Sequence, residues 1–81
     1  MATNHELALF VMTGCPYCLK VKHFLADNGV TIPERNILTD SDAEQTLIAV
    51  GGKRQVPCLF IDGKPLYESS DIIAWVQENL L

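Results

Sequence analysis

The chain has 81 residues, 48% of them hydrophobic and 20% charged, with a formal net charge of −4. That length supports one domain, residues 1–81, with a single modest core, and the balance is that of a globular chain. There is no basic stripe to suit nucleic acid, and no apolar run approaches the length of a membrane span. Met1-Ala2-Thr3-Asn4-His5-Glu6 has neither a basic region nor a signal core, so a cytoplasmic chain without a membrane partner is expected. Three cysteines, an odd count, argue for reduced thiols with a reactive pair rather than a disulfide framework.

The continuous apolar run Leu7-Ala8-Leu9-Phe10-Val11-Met12 predicts a central strand covered on both faces. A helix is predicted from Pro16 to Asn28, with Cys18, Val21 and Leu25 on one face and Phe24 beside them. Lys20, Lys22 and Asp27 point outward, and Asn28-Gly29 supplies the stop. A second strand lies within Val30 to Leu38, where Pro33 lacks a donor and imposes an edge position or a late start. Thr39-Asp40-Ser41-Asp42 opens a second helix, with Ser41 and Glu44 as a capping box, ending near Val50 before Gly51-Gly52. Val56 to Ile61 reads as a third strand, and the Asp62-Gly63 turn leads to a fourth at Lys64 to Tyr67. Glu68-Ser69-Ser70-Asp71 opens a last helix, one of the first three residues capping it, with Ile72, Ile73, Trp75, Val76 and Leu80 apolar. The order is β-α-β-α-β-β-α. A right-handed crossover makes the first two strands parallel neighbours. The class is α/β, a four-stranded mixed sheet flanked by helices.

Between the first strand and first helix lies Thr13-Gly14-Cys15-Pro16-Tyr17-Cys18. A helix start offers unpaired N–H groups and the positive end of the dipole, which together favour a thiolate at Cys15. Pro16 suits the first helical position, where no N–H is needed. Cys18 is one turn further on and deeper. Cys15 is therefore assigned as the attacking thiol and Cys18 as the resolving one. A zinc site using both with His23 and Cys58 lacks a second short-spaced pair, so no metal is expected. Cys58 reads as a buried small hydrophobe.

Taken with Val56-Pro57, the Asp62-Gly63-Lys64 turn and the Ser-Asp helix start, this motif resembles a dithiol glutaredoxin over roughly Leu7 to Leu80. Gln55-Val56-Pro57 and Tyr67-Glu68-Ser69-Ser70-Asp71-Ile72 are similar to glutathione-transferase amino-terminal domains and to the glutaredoxins resembling them. No helical second domain follows Leu81, so a complete transferase is not expected. The resemblance implies a thioredoxin fold and a monomeric, glutathione-dependent thiol–disulfide oxidoreductase. It would reduce glutathione mixed disulfides and disulfide-containing proteins, with no bound cofactor and glutathione as cosubstrate.

The resemblance also implies a cis Pro57 facing the thiols, with Val56 offering backbone groups to glutathione's cysteinyl unit. Tyr17 would flank the thiol. The helix start at Glu68, Ser69 and Ser70 would take the γ-glutamyl carboxylate, and Glu68 or Asp71 its ammonium. Typical members carry a lysine three residues before the first cysteine, where this chain has Met12. Lys53, Arg54 and Lys22 are candidate replacements for holding the glycine carboxylate, Arg54 with a bidentate geometry. Two other readings remain. One is an electron donor fed by a thioredoxin reductase, which Met12 favours and Glu68-Ser69 opposes. The other is a non-enzymatic iron–sulfur or glutathione-binding module, which Pro16 and Cys18 oppose.

Overall fold

The computed structural model describes residues 5–81, and the reading of Met1 to Asn4 as free of a leader lies outside them. The apolar run becomes β1 (Leu7–Val11), whose side chains alternate across the sheet: Leu9 and Val11 enter one buried cluster and Phe10 the other. α1 (Pro16–Asp27) follows, burying Cys18, Val21 and Leu25 along one stripe, and Asn28 caps its end. β2 (Glu34–Asn36) starts late, immediately after Pro33, whose carbonyl still accepts the Leu9 N–H at 2.8 Å. It lies parallel to β1, with Leu9 opposite Glu34 and Val11 opposite Asn36.

α2 (Ser41–Gly51) is capped by Asp40, whose carboxylate accepts the Ala43 N–H at 3.1 Å. This corrects the expected Ser41 capping box: both residues can cap, and the chain turns into the helix one residue earlier. Gly52, at φ 82°, ends it in the left-handed conformation. β3 (Cys58–Ile61) starts two residues later than predicted, because Pro57 has no N–H to give a ladder. Asp62 and Gly63 both have positive φ, 52° and 84°, the requirement of the tight turn into β4 (Lys64–Tyr67). α3 (Ser69–Asn79) begins after Glu68, which has φ 73° and makes no side-chain cap bond. The expected side-chain cap from Glu68, Ser69 or Ser70 is thus absent.

The sheet order is β2-β1-β3-β4, with β1–β3 and β3–β4 antiparallel. α1 and α3 cover one face, where Leu9, Val21, Leu25, Leu59, Ile72 and Val76 pack together. α2 covers the other, where Ala43 and Leu47 meet Phe10, Cys58 and Phe60. The Phe10 and Phe60 rings lie 4.4 Å apart, centroid to centroid. The central strands are thereby covered on both sides and hold the β1–α1 junction rigidly. No helix among the described residues is long and apolar enough to cross a membrane.

Candidate active site

β1 delivers the chain to a tight turn in which Gly14 has φ 84°, a conformation that costs a side-chain-bearing residue strain. The Cys15 N–H closes this turn on the Met12 carbonyl at 3.2 Å. Cys15 itself is the N-cap of α1, in extended conformation, with Pro16 as the first helical residue. Its sulfur accepts the Cys18 N–H at 3.4 Å, so one open backbone donor of the first turn is directed at Cys15 Sγ. Cys15 is 8% exposed and Cys18 2%. Burial, then the hydrogen bond with Cys15, pushes the Cys18 thiol up to about 12. The inner sulfur is therefore kept as a thiol while the outer one faces the helix start.

Two clefts open near the pair. One, of about 380 Å³, is lined by Tyr17, Gln55, Val56, Pro57, Glu68 and Ser69. The Val56–Pro57 peptide bond is cis, as the resemblance implied. Tyr17 stands 64% exposed at the rim, and the Gln55 amide donates to the Glu68 carboxylate at 3.3 Å. Sequence reasoning thus assembled five of these residues and missed Gln55, whose adjacency to Val56 was the available signal. Ser70 is exposed and lies outside the lining.

Arg54 also stays outside both clefts. Its Nε donates to Glu44 at 2.7 Å, so a carboxylate of this chain already holds the guanidinium expected to meet a substrate carboxylate. Lys53 is likewise engaged, its ammonium 4.6 Å from the Tyr67 ring centre.

The second cleft, about 340 Å³, opens on Cys15 and Cys18 from the β2 side and is lined further by Met12, Thr13, Lys22 and Glu34. Asn36 of β2 donates to the Thr13 hydroxyl at 2.7 Å, tying the active-site turn to the edge strand. Lys22 Nζ lies 3.4 Å from Glu34 Oε1. Cys58 is fully buried on the opposite face of the sheet, as a small hydrophobe should be. No group of three or more metal-ligating side chains occurs among the described residues.

A mixed sheet with helices on both faces and a Cys-Pro-Tyr-Cys turn at the first strand–helix junction is the architecture and motif of the thioredoxin-fold thiol–disulfide oxidoreductases. The glutaredoxin family model matches residues 7–66, and the chain belongs to the glutaredoxin family. Glutaredoxin 1 of Rickettsia prowazekii is 30% identical over 79 residues, covering 95% of this chain and 83% of that protein. A hybrid peroxiredoxin, hyPrx5, of Haemophilus influenzae is 37% identical over 77 residues. The chain spans only 31% of that relative's length. Among solved structures, a buckwheat glutaredoxin–glutathione complex superposes with a TM-score of 0.71 at 26% identity, covering 91% of this chain and 70% of that one. The Omega 3C glutathione transferase of Trametes versicolor superposes at 0.79 with 22% identity, covering 98% and 35% respectively, and shares the fold.

Proposed function

We propose that the exchange chemistry is glutathione-dependent, with glutathione lying in the cleft between Tyr17, Val56-Pro57 and the start of α3. The observation that carries this reading is the cleft itself. It joins the cis-proline segment leading into β3 to a helix start without a side-chain cap, at a carboxylate (Glu68) and beside Tyr17 of the Cys15 helix. A short peptide with a thiol in its middle and a zwitterionic end fits these elements. The backbone at Val56, ahead of the β3 ladder, matches an extended peptide. The α3 N–H groups match a carboxylate, and Glu68 matches an ammonium. The buckwheat glutaredoxin forms a complex with glutathione, which supports the same ligand here.

The Cys15 thiolate attacks the glutathionyl sulfur of a mixed disulfide. The S–S bond to the client breaks, and the client leaves as a thiolate that takes up a proton. A second glutathione then attacks the Cys15–glutathione bond, or Cys18 does so and leaves the Cys15–Cys18 disulfide. Client disulfides are reduced by the two-thiol route.

The test is reduction of a glutathionylated protein, coupled in parallel to glutathione with its reductase and to a thioredoxin reductase. Turnover with the first and little with the second is expected. Turnover with the thioredoxin reductase alone would overturn the reading.

A further inference from the structure

With glutathione placed in the first cleft, the second is left to the thiols themselves: Cys15 and Cys18 both line it, and so does the ion pair Lys22–Glu34. Lys22 is four residues beyond Cys18 on α1, so the two side chains rise from the same face one turn apart. Its charge is near enough to Cys18 to oppose the effect of burial. Glu34 reaches the same space from β2 because the parallel register sets it beside Leu9. The titratable groups facing this space are Cys15 and Lys22 from α1 and Glu34 from β2. β3 and α3 face Cys18 with Leu59, Ile72 and Val76, all apolar.

We infer that Lys22 is a positioning residue for the resolving step, its ammonium favouring the Cys18 thiolate inside this cleft, with Glu34 moderating that charge. The inference rests on Cys15 attacking and Cys18 resolving. In the step, the Cys18 proton leaves to solvent through the cleft. Cys18 Sγ then bonds to Cys15 Sγ, and the bond from Cys15 to the substrate sulfur breaks. The departing thiolate takes up a proton. In this step Cys18 is oxidised from thiol to disulfide, the Cys15 sulfur stays at the disulfide level, and the substrate sulfur is reduced to a thiol. Since nearly all Cys18 is protonated near neutral pH, a nearby cation raises the reactive fraction. Nucleophilicity falls by somewhat less than half as much on the logarithmic scale, so the net effect is acceleration.

The experiment mixes the fully reduced protein rapidly with excess dipyridyl disulfide, which has an uncharged leaving group and needs no glutathione. A first phase releases one equivalent of thiopyridone as Cys15 is captured. A second, concentration-independent phase releases another as Cys18 closes the disulfide. A charge contact of this kind, partly screened, alters the second phase by about threefold near neutral pH. Lys22→Met should slow it by that factor and move its rise with pH upward, and Lys22→Arg should restore it. Glu34→Gln should speed it and move the profile downward. Added salt should shrink both differences.

An unchanged second phase in Lys22→Met, or an equal change in both phases, would overturn the inference. So would slowing in both Lys22→Met and Glu34→Gln, since the pair would then act as a strut. If Cys18→Ser still showed a concentration-independent second release, the assignment of the thiols would fall instead, independently of glutathione.

Discussion

At the scale of single residues, the two sulfurs differ by three residues of sequence and by everything that surrounds them. Cys15 caps the helix and accepts the Cys18 N–H, while Cys18 lies in the buried apolar cluster that holds Val21, Leu59 and Ile72. Removing each should separate the two half-reactions. Cys15→Ser should abolish all exchange. Cys18→Ser should retain turnover of glutathione mixed disulfides and lose that of protein disulfides, since only the latter need an internal resolving thiol. Assays on both substrate types check this, and equal loss in Cys18→Ser would mean the one-thiol route is not used.

Arg54 tests the opposite kind of claim. Because Glu44 holds its guanidinium and Arg54 lies outside both clefts, Arg54→Ala should leave the KM for glutathionylated substrate nearly unchanged. A larger KM effect would show that Arg54 leaves Glu44 for the substrate. The sequence marked Arg54 as a loop cation next to Val56-Pro57, but a partner on α2 is a tertiary fact that no local pattern announces.

Elements show why some boundaries were readable and others not. Pro33 delays β2 through a missing donor, a rule that acts within one residue and needs no fold. The opening of α2 offered Asp40 and Ser41, both good caps in adjacent positions, and only the direction from which the chain arrives chooses between them. Asp40→Ala should therefore lower the melting temperature more than Ser41→Ala does. The Ala43 N–H, the largest influence, and Arg35 hold the Asp40 carboxyl below its ordinary range. Its depressed value means that this stabilisation is present above the ordinary carboxylate range and fades as pH falls through it. Equal effects of the two substitutions would contradict the observed cap.

At the other end of α2, a side chain on Gly51 would run into the Tyr67 hydroxyl, which itself donates to the Lys53 carbonyl at 3.2 Å. Gly51→Ala should cost about 1–3 kcal/mol, as overpacking does, despite alanine's better helix propensity. Denaturant unfolding decides the sign.

Across the whole molecule, the sheet divides the interior into two apolar layers, and each layer encloses one of the two most deeply buried thiols. The alternation of Leu9, Phe10 and Val11 made that division readable. The lining of the cleft on the β2 side was not, because Lys22 meets Glu34 only through the parallel register of β1 and β2. Cys18 lies in the layer under α1 and α3, and Cys58 in the layer under α2. Burial is the largest influence on both, pushing Cys18 up to about 12 and Cys58 to about 11 from an ordinary value of 9.0.

Both folded values lie above the unfolded one, so the stability that neutral thiols contribute is intact below about pH 9. As pH rises from there, the unfolded chain gives up protons that the folded chain keeps, and stability falls, by at most about 1.4 kcal/mol per pH unit for each thiol. The loss from Cys58 levels off near 11 and that from Cys18 near 12. Urea unfolding of the reduced protein at about pH 8 and about pH 10.5 measures it, with the slope against urea checked for constancy. Cys58→Ala and Cys18→Ala should each lower stability at the milder pH and flatten its alkaline decline. The two flattenings should add, because the sheet separates the sites. Closing the Cys15–Cys18 disulfide should remove only the Cys18 share. A reduced protein whose stability is level across this range would mean that neither thiol is held neutral by its layer, and the contrast drawn between Cys15 and Cys18 would lose its physical basis.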